Sequence, residues 1–213
     1  AIVASFIAAD YSGLEMKQIL DDLNYLDFLD EGLLDRLPLL GKPLSFIFEK
    51  GIYEGAYFEK WLRERLANKG VHTFGDLVLD DFRDTPKYRY QLQVTGADVS
   101  RGVLLILPGA IAQYGMDPDQ LDVAAAVRMS MSIPFIFEPV LLKDRAGKTS
   151  YIVDGGLLSN FPVSIFDDDT AAPPWPTFGY KLVDPDESQP NDIRGPFTLL
   201  YALFATMMEA HDA

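Results

Sequence analysis

Tyr151-Ile152-Val153-Asp154-Gly155-Gly156-Leu157-Leu158-Ser159-Asn160-Phe161-Pro162 is the stretch on which the reading of this chain turns, because a short β-branched run there delivers one carboxylate onto a pair of glycines. Aromatic and β-branched residues favour a strand. The two glycines remove Cβ bulk and permit positive φ, so another backbone or a substrate can approach the acid closely. That is one way to build a site. Asp-Gly is also the commonest hairpin signal, and a strand that ends on it is often only a turn. On these residues alone both readings of Asp154 stand.

Upstream lies Ala124-Ala125-Ala126-Val127-Arg128-Met129-Ser130-Met131-Ser132-Ile133-Pro134-Phe135-Ile136-Phe137-Glu138-Pro139-Val140. The order of that segment, a hairpin, and then Asp-Gly-Gly followed by Asn160 and Pro162 resembles the patatin-like phospholipases. The match is carried by Ser132, Pro134, Gly155, Gly156 and Asn160 around Asp154. The resemblance implies that Asp154 is the catalytic acid of a Ser–Asp dyad. It also implies an α/β fold, three-layered α/β/α around a central mixed sheet.

The N-terminal run Ala1-Ile2-Val3-Ala4-Ser5-Phe6-Ile7-Ala8-Ala9 has neither a cap residue nor a polar face, so as a helix it is expected to be buried from its first turn. It resembles the family's buried helix that directly follows the Gly-x-Ser-x-Gly nucleophile elbow. The chain is therefore expected to begin just after that elbow, with the N-terminal strand, the nucleophile and the oxyanion-hole loop lying upstream. The Gly-x-x-x-Gly string Gly51 to Gly55 has Tyr53 at its centre, so it supplies no elbow serine. A single patatin-like domain over residues 1–213, incomplete at both ends, is the expected organisation.

Composition narrows the partners. The 18 basic and 32 acidic residues give a net charge of −14, which opposes phosphate backbones and anionic membrane surfaces. Nucleic acid is excluded as a partner on that ground, while transient contact with a membrane surface through apolar residues stays open. There is no cysteine, hence no disulfide framework and no thiolate zinc site, which fits a reducing cytoplasm. The apolar runs at Ala1 to Ala9 and Phe197 to Met208 fall short of the ~20 residues that span a bilayer. Oligomeric state is not legible.

Along the chain, Leu14 to Leu29 reads as one or two short helices that break at Gly32 and Pro38. Phe58, Trp61, Leu62 and Leu66 form the apolar stripe of an amphipathic helix stopped by Gly70. Tyr88 to Val94 and Gly102 to Leu107 read as strands around a Thr95-to-Asp98 turn. Asp98 could pair with Asp154 in a two-carboxylate mechanism, but acids in turns more often accept hydrogen bonds from their own backbone. Asp117-Pro118-Asp119 is expected to open the Leu121-to-Met129 helix, with Pro134 beyond its end. Arg128, the only basic residue on that helix, either meets a buried acid or reaches solvent. Phe137 to Leu142 and Thr149 to Val153 form a hairpin. Gly147-Lys148-Thr149 mimics a phosphate-binding loop but has Leu142 where that motif needs glycine. The Asp167-Asp168-Asp169 triplet reads as solvated, the prolines 173, 174 and 176 as a loop, Phe178 to Val183 as a last strand and Phe197 to Glu209 as a helix.

The two histidines, His72 and His211, are far from Asp154 in sequence, and neither sits in a turn motif, so a Ser–His–Asp triad is disfavoured. No metal or other cofactor is expected. By the resemblance, the function is acyl-ester hydrolysis of phospholipase A or lysophospholipase type, on a lipid or other acyl ester. A carboxylate with a reference pKa of ~3.9 is a weak base for serine, so Asp154 is expected to be partly buried and raised in pKa. The competing class is a catalytically inactive patatin-like domain that binds lipid or protein, and a third reading makes Asp154 a turn residue of an unrelated α/β domain.

Overall fold

A computed structural model of the chain describes residues 1–23, 55–134, 136–159, 161–166 and 175–180, together with positions 193–195, 198, 199, 202, 203 and 206. The chain divides into two compact units, Ala1–Gly155 and Gly156–Ala213. The first holds a sheet and helices, of which Val123–Ser130 packs on the sheet.

Helix α1, Ile2–Ala8, buries Ser5, Phe6 and Ala8. Val3 and Ile7 are about half exposed, so this helix is one-sided rather than buried all round. Helix α2, Gly13–Asp21, starts at a capping box: the Ser12 hydroxyl accepts from the Glu15 N–H while the Glu15 carboxylate accepts from the Ser12 N–H. The continuation toward Leu29, with Gly32, Pro38 and the Gly51-to-Glu54 string, lies outside the described residues. Helix α3, Ala56–Ala67, buries Phe58, Trp61, Leu62 and Leu66, the stripe expected from their spacing. Each such side chain contributes roughly 1.5–3 kcal/mol when fully removed from water.

Strands β1, Val94–Asp98, and β2, Val103–Leu107, form the first hairpin, and β3, Val140–Lys143, and β4, Thr149–Asp154, the second. The sheet order is β2-β1-β4-β3, and all three pairings are antiparallel. β1 begins where the expected strand ends. Leu107 pairs with Val94, and the next residue, Pro108, has no N–H with which to extend the ladder. Residues before Val94 bond elsewhere: the Gln91 N–H donates to the Leu77 carbonyl and the Leu79 N–H to the Arg89 carbonyl.

Helix α4, Val123–Ser130, is capped by Asp122, whose carboxylate accepts from the Ala125 N–H. Asp117 caps only a three-residue 3₁₀ turn, Pro118–Gln120, so the helix opens later than the Asp-Pro-Asp string implies. α4 packs against α1, α3, β1 and β4. Because side chains alternate along a strand, the face toward α4 carries Val94, Leu105, Leu107, Leu142 and Ile152, all in the main core. On the opposite face Ile106, Leu141 and Tyr151 are exposed.

In the second unit a 3₁₀ turn spans Val163–Phe166, and Gly179 lies against the Phe161 ring. Residues 178–180 are not in a strand, and 181–183 lie outside the described residues. Pro176 lies in an irregular stretch, as expected of a loop, while Pro173 and Pro174 are not among the described residues. Described positions 198, 199, 202, 203 and 206 are helical, in keeping with the helix expected there. The acidic triplet 167–169, His211 and Asn160 are outside the described residues.

Candidate active site

Asp154 is the last residue of β4, an interior strand bonded to β1 on one side and to β3 on the other. It is half-buried. Alternation places it on the same side of the sheet as Ile152, the side that α4 covers. Its partner across the ladder is Gly96, where a Cβ would come 3.2 Å from Ile152 Cγ2.

The residue after the acid explains half of the Asp-Gly-Gly signal. A Cβ on Gly155 would fall 2.3 Å from Thr95 Oγ1 and 2.6 Å from the Thr95 carbonyl carbon, so only glycine lets β4 end against β1. Gly156 is also buried, and a 3₁₀ turn runs through Gly155–Leu157.

The Ser132 segment holds Asp154 from its other side. The Asp154 N–H donates to the Ser132 carbonyl at 2.9 Å. Ser132, fully buried, follows the end of α4, where the chain tightens as the Ile133 N–H donates to the Met131 carbonyl at 2.8 Å. Pro134, half-buried, has no N–H with which to prolong the helix. The Ser132 hydroxyl donates to the Arg128 carbonyl at 2.9 Å and accepts from Arg128 Nη1. Arg128 is itself only 4% exposed. Its Nη2 donates to the Glu138 carbonyl at 3.0 Å, and its guanidinium lies 5.3 Å from the Phe137 ring centroid. It also fills the place of a side chain at Gly55, whose φ is +69° and whose Cβ would fall 2.2 Å from Arg128 Nε. Arg128 thus turns inward rather than reaching solvent. The sequence singled it out by its isolation, but nothing local could point to Gly55.

The start of α1 comes to the same place. The Ala1 nitrogen is largely buried and lies within electrostatic reach of the Asp154 carboxylate. The N-terminal end of α1 and the acid at the end of β4 are therefore electrostatic neighbours.

Asp98 is the other carboxylate on this face of the sheet, and its oxygens are already engaged. Oδ1 accepts from the backbone N–H of Ser100 at 2.9 Å and of Arg101 at 3.2 Å, while Oδ2 accepts from Tyr114 Oη at 2.7 Å. Arg101 Nε is 3.6 Å from Oδ2, and Arg101 Nη2 donates to Asp144 Oδ2 at 2.8 Å. Burial alone would push the Asp98 carboxyl up, but the Tyr114 and Ser150 hydroxyls and the two backbone N–H groups together hold it below the ordinary carboxylate range. Asp98 is a structural acid that closes the first hairpin.

His72 is exposed; its backbone N–H donates to Asp76 Oδ2 at 2.8 Å and its carbonyl accepts from the Val123 N–H. Lys148, in the string resembling a phosphate loop, belongs to the β3–β4 turn, where its N–H and that of Ala146 donate to Asp144 Oδ1 at 2.9 Å. Among the described residues no group of three or more His, Asp or Glu is arranged to hold a metal. Nor is any described helix long and apolar enough to cross a membrane.

The family described as patatin-like phospholipase matches the chain over residues 1–167. The chain is 38% identical to an uncharacterized protein of Bacillus subtilis (strain 168), YqhO, in a match covering 100% of this chain and 69% of that protein. No solved structure matches it.

Proposed function

Because the chain belongs to the patatin-like phospholipase family, we propose that it carries the acid half of a Ser–Asp dyad in a lipid acyl hydrolase of phospholipase A or lysophospholipase type. Asp154 is the base, and the serine comes from sequence upstream of Ala1. The serine Oγ attacks the ester carbonyl carbon while Asp154 takes its proton. Collapse of the tetrahedral adduct expels the alcohol, which leaves with that proton, and an acyl-enzyme remains. Water then attacks the acyl carbon, Asp154 takes the water proton, and the serine recovers it as the fatty acid departs.

The observation that supports this reading most is the proximity of the Ala1 nitrogen to Asp154. A residue just before α1 would be delivered to the acid. The half-buried setting of Asp154 at the end of β4 also suits a base that must act on a substrate from outside.

The test uses the protein with the sequence that precedes Ala1. Fatty-acid release from phosphatidylcholine vesicles and labelling by a fluorophosphonate are measured for the wild type and for Asp154→Asn. Loss of both in the variant supports the dyad. A wild type that binds the vesicles but shows neither release nor labelling would replace it with the non-catalytic, lipid-binding reading.

A further inference from the structure

We infer that Ser132 and Arg128 form a positioning pair for Asp154: the buried guanidinium fixes Ser132, and the Ser132 carbonyl fixes the backbone that presents the acid. The inference rests on the reading of Asp154 as the base. β4 is held by β1 and β3 along its length, but Asp154 is its last residue, where a strand is free to fray. The hydrogen bond from the Asp154 N–H to the Ser132 carbonyl ties that end down.

That carbonyl is set by a closed arrangement. The Ser132 side chain both donates to the Arg128 carbonyl and accepts from Arg128 Nη1, so its rotamer is fixed from two directions. Arg128 is anchored in turn by the Glu138 carbonyl, the Phe137 ring and the close approach of Gly55. A planar guanidinium can meet several such partners at once, and the point charge of lysine cannot reproduce that geometry. Neither residue is a catalytic residue in this account; both act through the place of Asp154.

Misplacing a reacting group by about 1 Å costs up to ~10²-fold in rate, so loosening this link should be visible in kcat. The experiment compares the wild type, S132A, S132T, R128K and D154N in the protein with its preceding sequence. p-Nitrophenyl butyrate is the probe for kcat, KM and the pH–rate profile, and amide hydrogen exchange of Asp154 is the second readout. The expected result is a loss of about 10- to 100-fold in kcat for S132A and R128K, with KM held within a factor of about two. Their acid limb of the pH–rate profile is displaced, the Asp154 amide exchanges faster, and S132T recovers part of kcat. S132A leaves the Arg128 contacts to Glu138 and Phe137 in place and so keeps the test open if R128K does not fold. Wild-type kcat in S132A, or a loss of kcat with unchanged Asp154 exchange, overturns the inference beside an inactive D154N. An active D154N overturns the base assignment and this inference with it.

Discussion

Gly155 passes so close to Thr95 that a methyl group on Gly155 would penetrate the Thr95 backbone, 2.6 Å from its carbonyl carbon. Strand β1 therefore sets the residue type that follows the acid, whatever the chemistry at Asp154.

Gly155→Ala is expected to destabilise the chain by about 3 kcal/mol, because neither strand can retreat without breaking the β1–β4 ladder. Urea denaturation checks this. A midpoint equal to that of the wild type would mean that the Thr95 backbone yields.

Gly55 and Gly70 provide a matched pair, since both have positive φ, +69° and +76°, but only Gly55 has Arg128 against it. Gly70→Ala should cost about 1–2 kcal/mol, the strain of a left-handed backbone alone. Gly55→Ala should cost more, since it also displaces a buried guanidinium. Equal thermal-midpoint losses would contradict the packing of Arg128 on Gly55.

The Asp98 carboxyl, depressed in the folded state, gives an acid limb to stability. A depressed acid stabilises fully above its unfolded pKa of ~3.9, and that contribution is lost as pH falls through the folded value. The unfolding free energy of the wild type should therefore fall more steeply below pH ~4 than that of Asp98→Asn. Parallel curves would remove Asp98 from the account.

Tyr114 works at the other end of the scale, because burial first, and then its hydrogen bond to Asp98, raise its phenol to about 12 from 10.0. A raised acid stabilises below its unfolded pKa, and the contribution is lost as pH rises toward the folded one. Alkaline unfolding should set in above pH 10, and the Tyr114 phenolate should appear in the ultraviolet absorbance only toward pH 12. In Tyr114→Phe that late phenolate is gone, and stability at neutral pH drops by about 1.5–3 kcal/mol for the lost bond to a charged acceptor.

The second hairpin and the acid at its end were legible because β-branched residues, a turn string and Asp-Gly-Gly are local signals. The stripe of α3 was legible for the same reason. Strand β1 was misplaced because the alternation of Tyr88, Tyr90 and Leu92 continues outside the ladder, while Thr95 to Asp98 looks like a turn yet pairs with β2 throughout and with β4 from Gly96 on. The start of α4 was misplaced because Pro118 marks a helix start as well as Asp122 marks a cap. The contacts of Arg128 with Gly55, and of Asp154 with Ser132, join residues from different elements, and no periodicity encodes them.

The antiparallel ladders on both sides of β4 also decide where this chain tolerates editing. A one-residue insertion within Thr149–Asp154 would turn every side chain beyond it to the opposite face and carry the acid away from α4. The turn at residues 144–148 has no such alternation to preserve; it is held by the bonds of Asp144 to Ala146, Gly147, Lys148 and Arg101. A reporter, a tag or a new chain break therefore belongs in that turn, where the register of the acid-bearing strand is left as it is.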